Sequence, residues 1–128
     1  MESRNGLRIL VVEDEVFISM LLEDMLMDLG CAKVDVAASV DKALETLAVV
    51  TPDFAILDVN LNGQKSFPVA DLLNARDVPF VYISGYGELG LEGGGLDIRV
   101  LQKPFRLNDL RAVIDEARAG QKEALGSL

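Results

Sequence analysis

Residues 54–60 read Phe-Ala-Ile-Leu-Asp-Val-Asn, an apolar run of four that leads straight into a carboxylate. The turn signal Leu61-Asn62-Gly63 follows it. A short, continuously apolar run bounded by a turn predicts a strand that is covered on both faces of a parallel sheet. Asp58 would then stand at the C-terminal end of a central strand, at the edge of an open α/β sheet where ligands bind.

A second apolar run, residues 7–12, ends in the same way, in Glu13-Asp14-Glu15. If the two strands are neighbours, they deliver several carboxylates to one edge of the sheet. Like charges in close proximity repel, so such a cluster requires a divalent metal, a lysine, or the uptake of protons. The rest of the chain is expected to supply these partners of the carboxylates.

The length of 128 residues predicts one domain, residues 1–128, with a core over about 7–119 and flexible ends at 1–6 and 121–128. Half of the residues are hydrophobic, yet no apolar run approaches the roughly eighteen residues that would cross a membrane. The polar start of the chain has no signal-peptide region, and the single cysteine, Cys31, cannot form a disulfide framework. These features predict a cytoplasmic protein that does not enter a membrane.

The net charge of −9 argues against a nucleic-acid partner, because a phosphate backbone requires cationic side chains. The chain contains no histidine, which excludes a Ser-His-Asp triad and a histidine metal site. The available chemistry is therefore that of carboxylates, lysines, hydroxyl groups and backbone amides.

Strands and helices are predicted to alternate along the chain, which indicates a parallel sheet with helices on both faces, a three-layer α/β sandwich. On the first helix, Met20, Leu26 and Met27 widen the apolar face, and burial is favoured over a partner surface. Six glycines between Ser84 and Leu96 predict that a fourth helix is short or frayed. The predicted strands are 8–12, 34–37, 54–58, 79–84 and 99–101, and the other helices are 15–29, 40–48, 66–75 and 107–119. Ser39 is the predicted N-cap of the helix at 40–48.

Four predicted strand ends meet at one edge and bring chemically related groups with them. They are Glu13 and Asp14, Asp58, Ser84 and Lys103. This set predicts phosphoryl transfer, in which Asp58 is the nucleophile and becomes an aspartyl phosphate. Acidic side chains would hold Mg²⁺, a cation that prefers oxygen ligands, Lys103 would balance the phosphate charge, and Ser84 would donate a hydrogen bond to a phosphate oxygen.

In these residues and their spacing, completed by Lys103-Pro104-Phe105, the sequence resembles the receiver domain of two-component response regulators. The resemblance implies the flavodoxin-like (βα)5 fold with strand order 2-1-3-4-5. It implies phosphoryl transfer to Asp58 from the phosphohistidine of a sensor histidine kinase or of a histidine phosphotransfer protein. It also implies a cis peptide bond before Pro104, and Mg²⁺ bound by Asp14, Asp58 and the Asn60 carbonyl, with Glu13 acting through water.

Residues 79–87 further resemble the "FAT GUY" subset of receivers. Asn62 replaces a usual proline, Gly85 replaces a usual alanine at a phosphate-contacting position, and Val100 replaces the aromatic residue of the usual switch. Tyr86 is a candidate substitute for that aromatic residue.

The function expected from this resemblance is that of a stand-alone receiver with no catalytic turnover of its own. Phosphorylation at Asp58 would order residues 85–96 and signal to a downstream protein, or the domain would only drain phosphoryl groups from a kinase. A haloacid-dehalogenase-like phosphatase is an alternative, although it requires a second acid where Asn60 stands. A flavodoxin-like FMN-binding protein is another, although Glu13 and Asp14 would repel its phosphate.

Overall fold

The computed structural model describes residues 6–84, 100–102 and 106–126, with side chains described over 6–83 and 106–116. The strands are β1 Arg8–Val12, β2 Lys33–Ala37, β3 Phe54–Asp58, β4 Asn60–Leu61, β5 Gln64–Lys65, β6 Phe80–Ser84 and β7 Val100–Gln102. The helices are α1 Val16–Asp28, α2 Val40–Val49, α3 Phe67–Ala75 and α4 Leu107–Gly126. Within this described part of the chain, no helix is long and apolar enough to span a membrane.

Five strands form one parallel sheet in the order β2-β1-β3-β6-β7. Counted without the two short strands β4 and β5, this is the predicted order 2-1-3-4-5, which is confirmed. All five residues of β3 are buried, as its continuous apolar run predicts. Val12 pairs with Leu57 across β1 and β3, so the residues that follow these two strands emerge side by side.

The core has two layers, one on each face of the sheet, because successive side chains of a strand point to opposite faces. Ile9 and Val11 of β1 belong to the layer that packs against α1 and α4. Leu10 and Val12 belong to the layer that packs against α2 and α3. The predicted three-layer sandwich is thus confirmed in the described part of the chain.

Helix α1 corrects one prediction about burial. Leu26 is buried, but Met20 and Met27 are 55% and 56% exposed, so the expectation that this second apolar face is covered was wrong. The helix packs on the sheet through one side, where Leu22 and Leu26 enter the core. The opposite side carries apolar residues that no other described element covers.

The other helix ends follow from local signals. Ser39 accepts a hydrogen bond on its side-chain oxygen from the Lys42 amide at 3.1 Å, which confirms it as the N-cap of α2. Pro68 lies in the first turn of α3, where its missing N–H costs nothing.

Helix α4 runs to Gly126, well beyond the predicted end at Ala119. The strong helix formers at 121–125 account for the extension. The predicted fourth helix lies outside the described residues.

A β-hairpin directly after the central strand was not predicted. Strands β4 and β5 pair antiparallel, with Asn60 opposite Lys65 and Leu61 opposite Gln64. The two turn residues between them, Asn62 and Gly63, have φ angles of 53° and 85°. Positive φ at both central positions is the requirement of a type I′ turn, for which Asn-Gly is the strongest short signal. The hairpin thus follows from the local Asn-Gly pattern, which was interpreted only as a turn after the strand.

An aromatic group lies on the α3 side of β6. Tyr82 is buried and packs edge-on against Phe67 and Phe80, with ring centroids 6.1 and 5.6 Å apart. Burial, followed by the charge of Asp71, raises the pKa of Tyr82 to about 12. An unfolded tyrosine has a pKa near 10, so between about pH 10 and 12 the folded chain keeps a proton that the unfolded chain has lost.

We therefore expect the free energy of unfolding to fall as the pH rises through that window. The contribution of Tyr82 is complete below about pH 10 and is lost by about pH 12, a decrease of about 3 kcal/mol at roughly 1.4 kcal/mol per pKa unit. Tyr82→Phe has no such proton and should show a shallower decrease. Urea unfolding of both proteins across this range measures the difference, and parallel pH profiles would contradict the prediction.

Candidate functional site

The candidate site is a group of three carboxylates at the C-terminal edge of the sheet. Glu13 and Asp14 directly follow β1, and Asp58 is the last residue of the neighbouring β3. One carboxylate oxygen from each of the three lies within 4.8 Å of the others. The structure therefore brings together the acidic residues that the two apolar runs predicted.

Two of the three carboxylates are withdrawn from solvent. Glu13 is 1% exposed and Asp58 is 3% exposed, whereas Asp14 is partly exposed. Moving a carboxylate out of water is unfavourable unless hydrogen bonds or an opposite charge compensate it, and neighbouring like charges add to the cost. The site therefore has a strong electrostatic demand for cations.

Backbone amides orient the two buried carboxylates. The Glu15 amide donates to Glu13 Oε2 at 3.1 Å, and the Asn60 amide donates to Asp58 Oδ1 at 3.4 Å. The Glu13 amide donates to the Ala37 carbonyl at 3.0 Å, which extends the pairing of β1 with β2 by one residue. These contacts hold each carboxylate on its own strand end and supply partial positive charge, but no full counter-charge.

Asn60, two residues after Asp58, uses its side chain within the hairpin. Its Oδ1 accepts a hydrogen bond from the Gly63 amide at 2.9 Å, which closes the turn. The ligand that the sequence analysis assigned to Asn60 is its backbone carbonyl, a group that this side-chain contact does not occupy.

The phosphate-facing half of the predicted site falls largely outside the described residues. The backbone of Ser84 pairs with Gln102 of β7, so the strand that leads to Lys103 lies beside the strand that carries Ser84. The side chains of Ser84 and Val100, and the whole of Gly85, Tyr86, Lys103 and Pro104, are not among the described residues. Their roles, and the cis peptide bond, remain predictions.

The donor set fits Mg²⁺. All three grouped side chains offer carboxylate oxygens, which are the ligands of hard cations, and the group contains no thiolate or imidazole. A bound divalent cation would also supply the counter-charge that the burial of Glu13 and Asp58 requires. Chemically, the arrangement is a partly buried acidic group whose oxygen ligands suit a hard cation.

Sequence reasoning missed two residues beside this site. Lys65 lies on β5 opposite Asn60, and Ser66, which stands at the N-cap position of α3, is completely buried. The Ser66 amide donates to the Val59 carbonyl at 3.0 Å, next to Asp58. The Asn62-Gly63 turn was the signal that would have placed both residues.

The family model of the response regulator receiver domain matches residues 9–115, which is most of the chain. The chain belongs to this family. The flavodoxin-like receiver fold observed above and the acidic group at the edge of the sheet are those that such membership implies.

Similar proteins and solved structures support the assignment. The solution structure of SdrG from Sphingomonas melonis Fr1 has a TM-score of 0.76 and 40% identity, and the match covers 94% of this receiver domain and 98% of SdrG. The receiver domain of Erythrobacter litoralis PhyR has a TM-score of 0.76 and 28% identity, over 88% and 90% of the two chains. The Phyllosphere-induced regulator PhyR of Methylorubrum extorquens is 32% identical over 120 residues, which are 91% of this chain and 45% of that protein.

The chain spans about half the length of the curated relatives it matches. For example, it covers 47% of the probable transcriptional regulator ycf27 of Cyanophora paradoxa. The shared part is the receiver domain. Receiver domains are phosphoacceptor modules of two-component signalling rather than catalytic enzymes, and histidine kinases phosphorylate them. Membership in this family favours phosphoryl acceptance over the haloacid-dehalogenase and FMN-binding alternatives.

Proposed function

We propose that Asp58 accepts a phosphoryl group from the phosphohistidine of a sensor histidine kinase or of a histidine phosphotransfer protein. The observation that carries this proposal is the grouping of Asp58 with Glu13 and Asp14 within 4.8 Å at the C-terminal edge of the sheet. Asp58 is the member of the group that ends the central strand, and its burial keeps competing water away from the attacking oxygen.

In the transfer, a carboxylate oxygen of Asp58 attacks the phosphorus atom, and an O–P bond forms as the P–N bond to the donor histidine breaks. The electron pair of the P–N bond returns to the ring nitrogen, and the donor ring, which carries a proton on its other nitrogen or takes one from solvent, leaves as neutral imidazole. The Asn60 amide, which donates to Asp58 Oδ1, keeps the carboxylate in one orientation. Later hydrolysis of the acyl phosphate by water restores the carboxylate.

Asp14, Asp58 and the Asn60 carbonyl would hold Mg²⁺, with Glu13 acting through water. When bound, the ion would neutralise charge on the carboxylates and on the transferred phosphoryl group. Lys103, which follows β7 in the chain, would add a compact ammonium charge, and Ser84, at the end of β6, would donate to a phosphate oxygen. The resemblance of the sequence to receivers supports the roles of all these residues.

Assignment to the FAT GUY subset is part of this proposal and rests on residues 79–87. The output of the receiver domain would then be contact with another protein.

Phosphorylation with acetyl phosphate tests the proposal without a cognate kinase. Intact-protein mass spectrometry should show the addition of one phosphoryl group when Mg²⁺ is present and none when it is chelated. The modification should be lost in mild base, as an acyl phosphate is. No mass increase in the presence of Mg²⁺ would contradict the proposed function.

The phosphodonor protein has to cover the edge of the sheet that carries Asp58, and the start of α1 lies at that edge, directly after Asp14. Phe17 is 86% exposed, and Val16, Met20 and Leu21 are also exposed. Exposed apolar side chains in one continuous group are typical of protein contact surfaces. The N-terminal half of α1 is therefore proposed as part of the donor-binding surface.

We expect the double variant Phe17→Ala/Met20→Ala to slow phosphotransfer from the cognate donor about tenfold, since truncating two contact residues costs about 1–2 kcal/mol. Its phosphorylation by acetyl phosphate should be unchanged, because the small donor makes no such contact. Val49→Ala is the matched control, an equally exposed apolar residue at the far end of α2. Equal rates for the double variant and wild type with the protein donor would contradict this assignment.

A further inference from the structure

The hairpin after the central strand carries a cation, Lys65, two residues in register from the phosphoacceptor strand end. Lys65 is directly opposite Asn60 in the β4–β5 pair, and Asn60 is the residue whose amide donates to Asp58. Counted along the sequence, Lys65 is the only cationic residue within ten positions of Asp58 on either side. Side chains of directly opposed residues share one face of the hairpin, with Cβ atoms about 5 Å apart.

Several contacts fix this hairpin relative to Asp58. The Asn60 side chain accepts from the Gly63 amide at 2.9 Å, and the Ser66 amide donates to the Val59 carbonyl at 3.0 Å. Leu61 is buried in the core layer between the sheet and α3. The backbone of Lys65 is thus held at a defined position relative to Asp58.

Charge balance indicates what this cation is for. Phosphorylation replaces the single negative charge of Asp58 by about two, and Glu13 and Asp14 add one each, so the phosphorylated site carries about four negative charges. The proposed Mg²⁺ and Lys103 would together supply three positive charges. A further positive charge would then stabilise the phosphorylated site, because Glu13 and Asp58 are almost fully buried and charges interact most strongly where solvent is excluded.

We propose that Lys65 is a second ammonium group that binds the phosphoryl group on Asp58, delivered by the hairpin rather than by a strand end of the main sheet. The inference rests on the proposed function. It adds a residue that stabilises the phosphorylated state specifically, because the same positive charge repels Mg²⁺ in the unphosphorylated site. Removing the charge should therefore change the affinities for the metal and for the phosphoryl group in opposite directions.

The test compares wild type with Lys65→Met, Lys65→Arg and Lys42→Met. Lys42 is the matched control, an exposed lysine on α2 that pairs with Glu45 at 3.8 Å. Calorimetry measures the affinity for Mg²⁺ alone. Amide NMR then measures the affinity for beryllofluoride, a phosphoryl mimic, at saturating Mg²⁺.

For Lys65→Met we expect beryllofluoride to bind about five- to tenfold more weakly and Mg²⁺ to bind about twofold more tightly, the size expected for a partly solvated charge pair. Lys65→Arg should keep most of the beryllofluoride affinity, and Lys42→Met should match wild type. Unchanged beryllofluoride affinity in Lys65→Met would overturn the inference, as would equal weakening of both ligands, which a distorted hairpin would cause. If wild type itself binds no beryllofluoride, the proposed function fails as well.

Discussion

Asp58→Asn is expected to abolish phosphorylation by acetyl phosphate completely. The substitution keeps the shape of the side chain but replaces the attacking carboxylate oxygen by an amide, which is a far weaker nucleophile. Intact-protein mass spectrometry in Mg²⁺ measures the result. Asp24→Asn is the matched control, because it removes the same charge from an exposed position on α1 and should be phosphorylated like wild type.

The same substitution should stabilise the metal-free fold. Asp58 is buried within 4.8 Å of two other carboxylates, so removing its charge relieves repulsion in a site that excludes water. We expect the free energy of unfolding in a chelating buffer to rise by about 1 kcal/mol, a trade of stability for function that is common at active sites. A phosphorylated Asp58→Asn protein would show that another residue is the acceptor and would contradict the central proposal.

Asp14→Asn is expected to weaken Mg²⁺ binding by more than tenfold. The substitution removes one of the carboxylates that meet at the site, and an amide oxygen is a poorer ligand for a hard cation than a carboxylate. In wild type, a Mg²⁺ concentration one hundred times the Kd should add about 2.7 kcal/mol to the free energy of unfolding. At the same concentration, Asp14→Asn should lose about half of this gain or more.

Glu15→Gln separates coordination from general charge effects in this experiment. Glu15 follows Asp14 and carries the same charge, but it does not belong to the group of converging carboxylates. Its variant should keep nearly all of the stabilisation by Mg²⁺, because a charge outside the coordination sphere acts only through solvent-screened attraction. An equal loss in Asp14→Asn and Glu15→Gln would contradict a defined metal site and would indicate diffuse attraction of cations to an acidic surface.

Much of the fold could be predicted because its signals are local. The continuous apolar run before Asp58 predicted a strand covered on both faces, and every residue of β3 is buried. Ser39 predicted the start of α2 through the capping bond that its side chain makes. Alternation of strands and helices predicted a parallel layered sheet, since parallel strands need crossover connections.

The acidic group could also be predicted, because carboxylates that end neighbouring parallel strands meet at one edge. That argument requires β1 and β3 to be adjacent, and their pairing through Val12 and Leu57 provides the adjacency. It predicts proximity but not burial. Glu13 and Asp58 are almost fully enclosed, whereas Asp14 is partly exposed. This difference depends on residues that pack from other elements.

What the amino-acid sequence determined by itself was the type and order of the elements and the chemical identity of the site, because apolar runs, caps and strand ends act over a few residues. The tertiary structure decided which of two apolar faces of α1 packs on the sheet, leaving Phe17 and Met20 exposed. It also decided that Lys65 lies opposite Asn60 in the hairpin that follows the central strand. Both outcomes depend on contacts between distant segments, and periodicity along one segment carries no information about the surface against which that segment will pack.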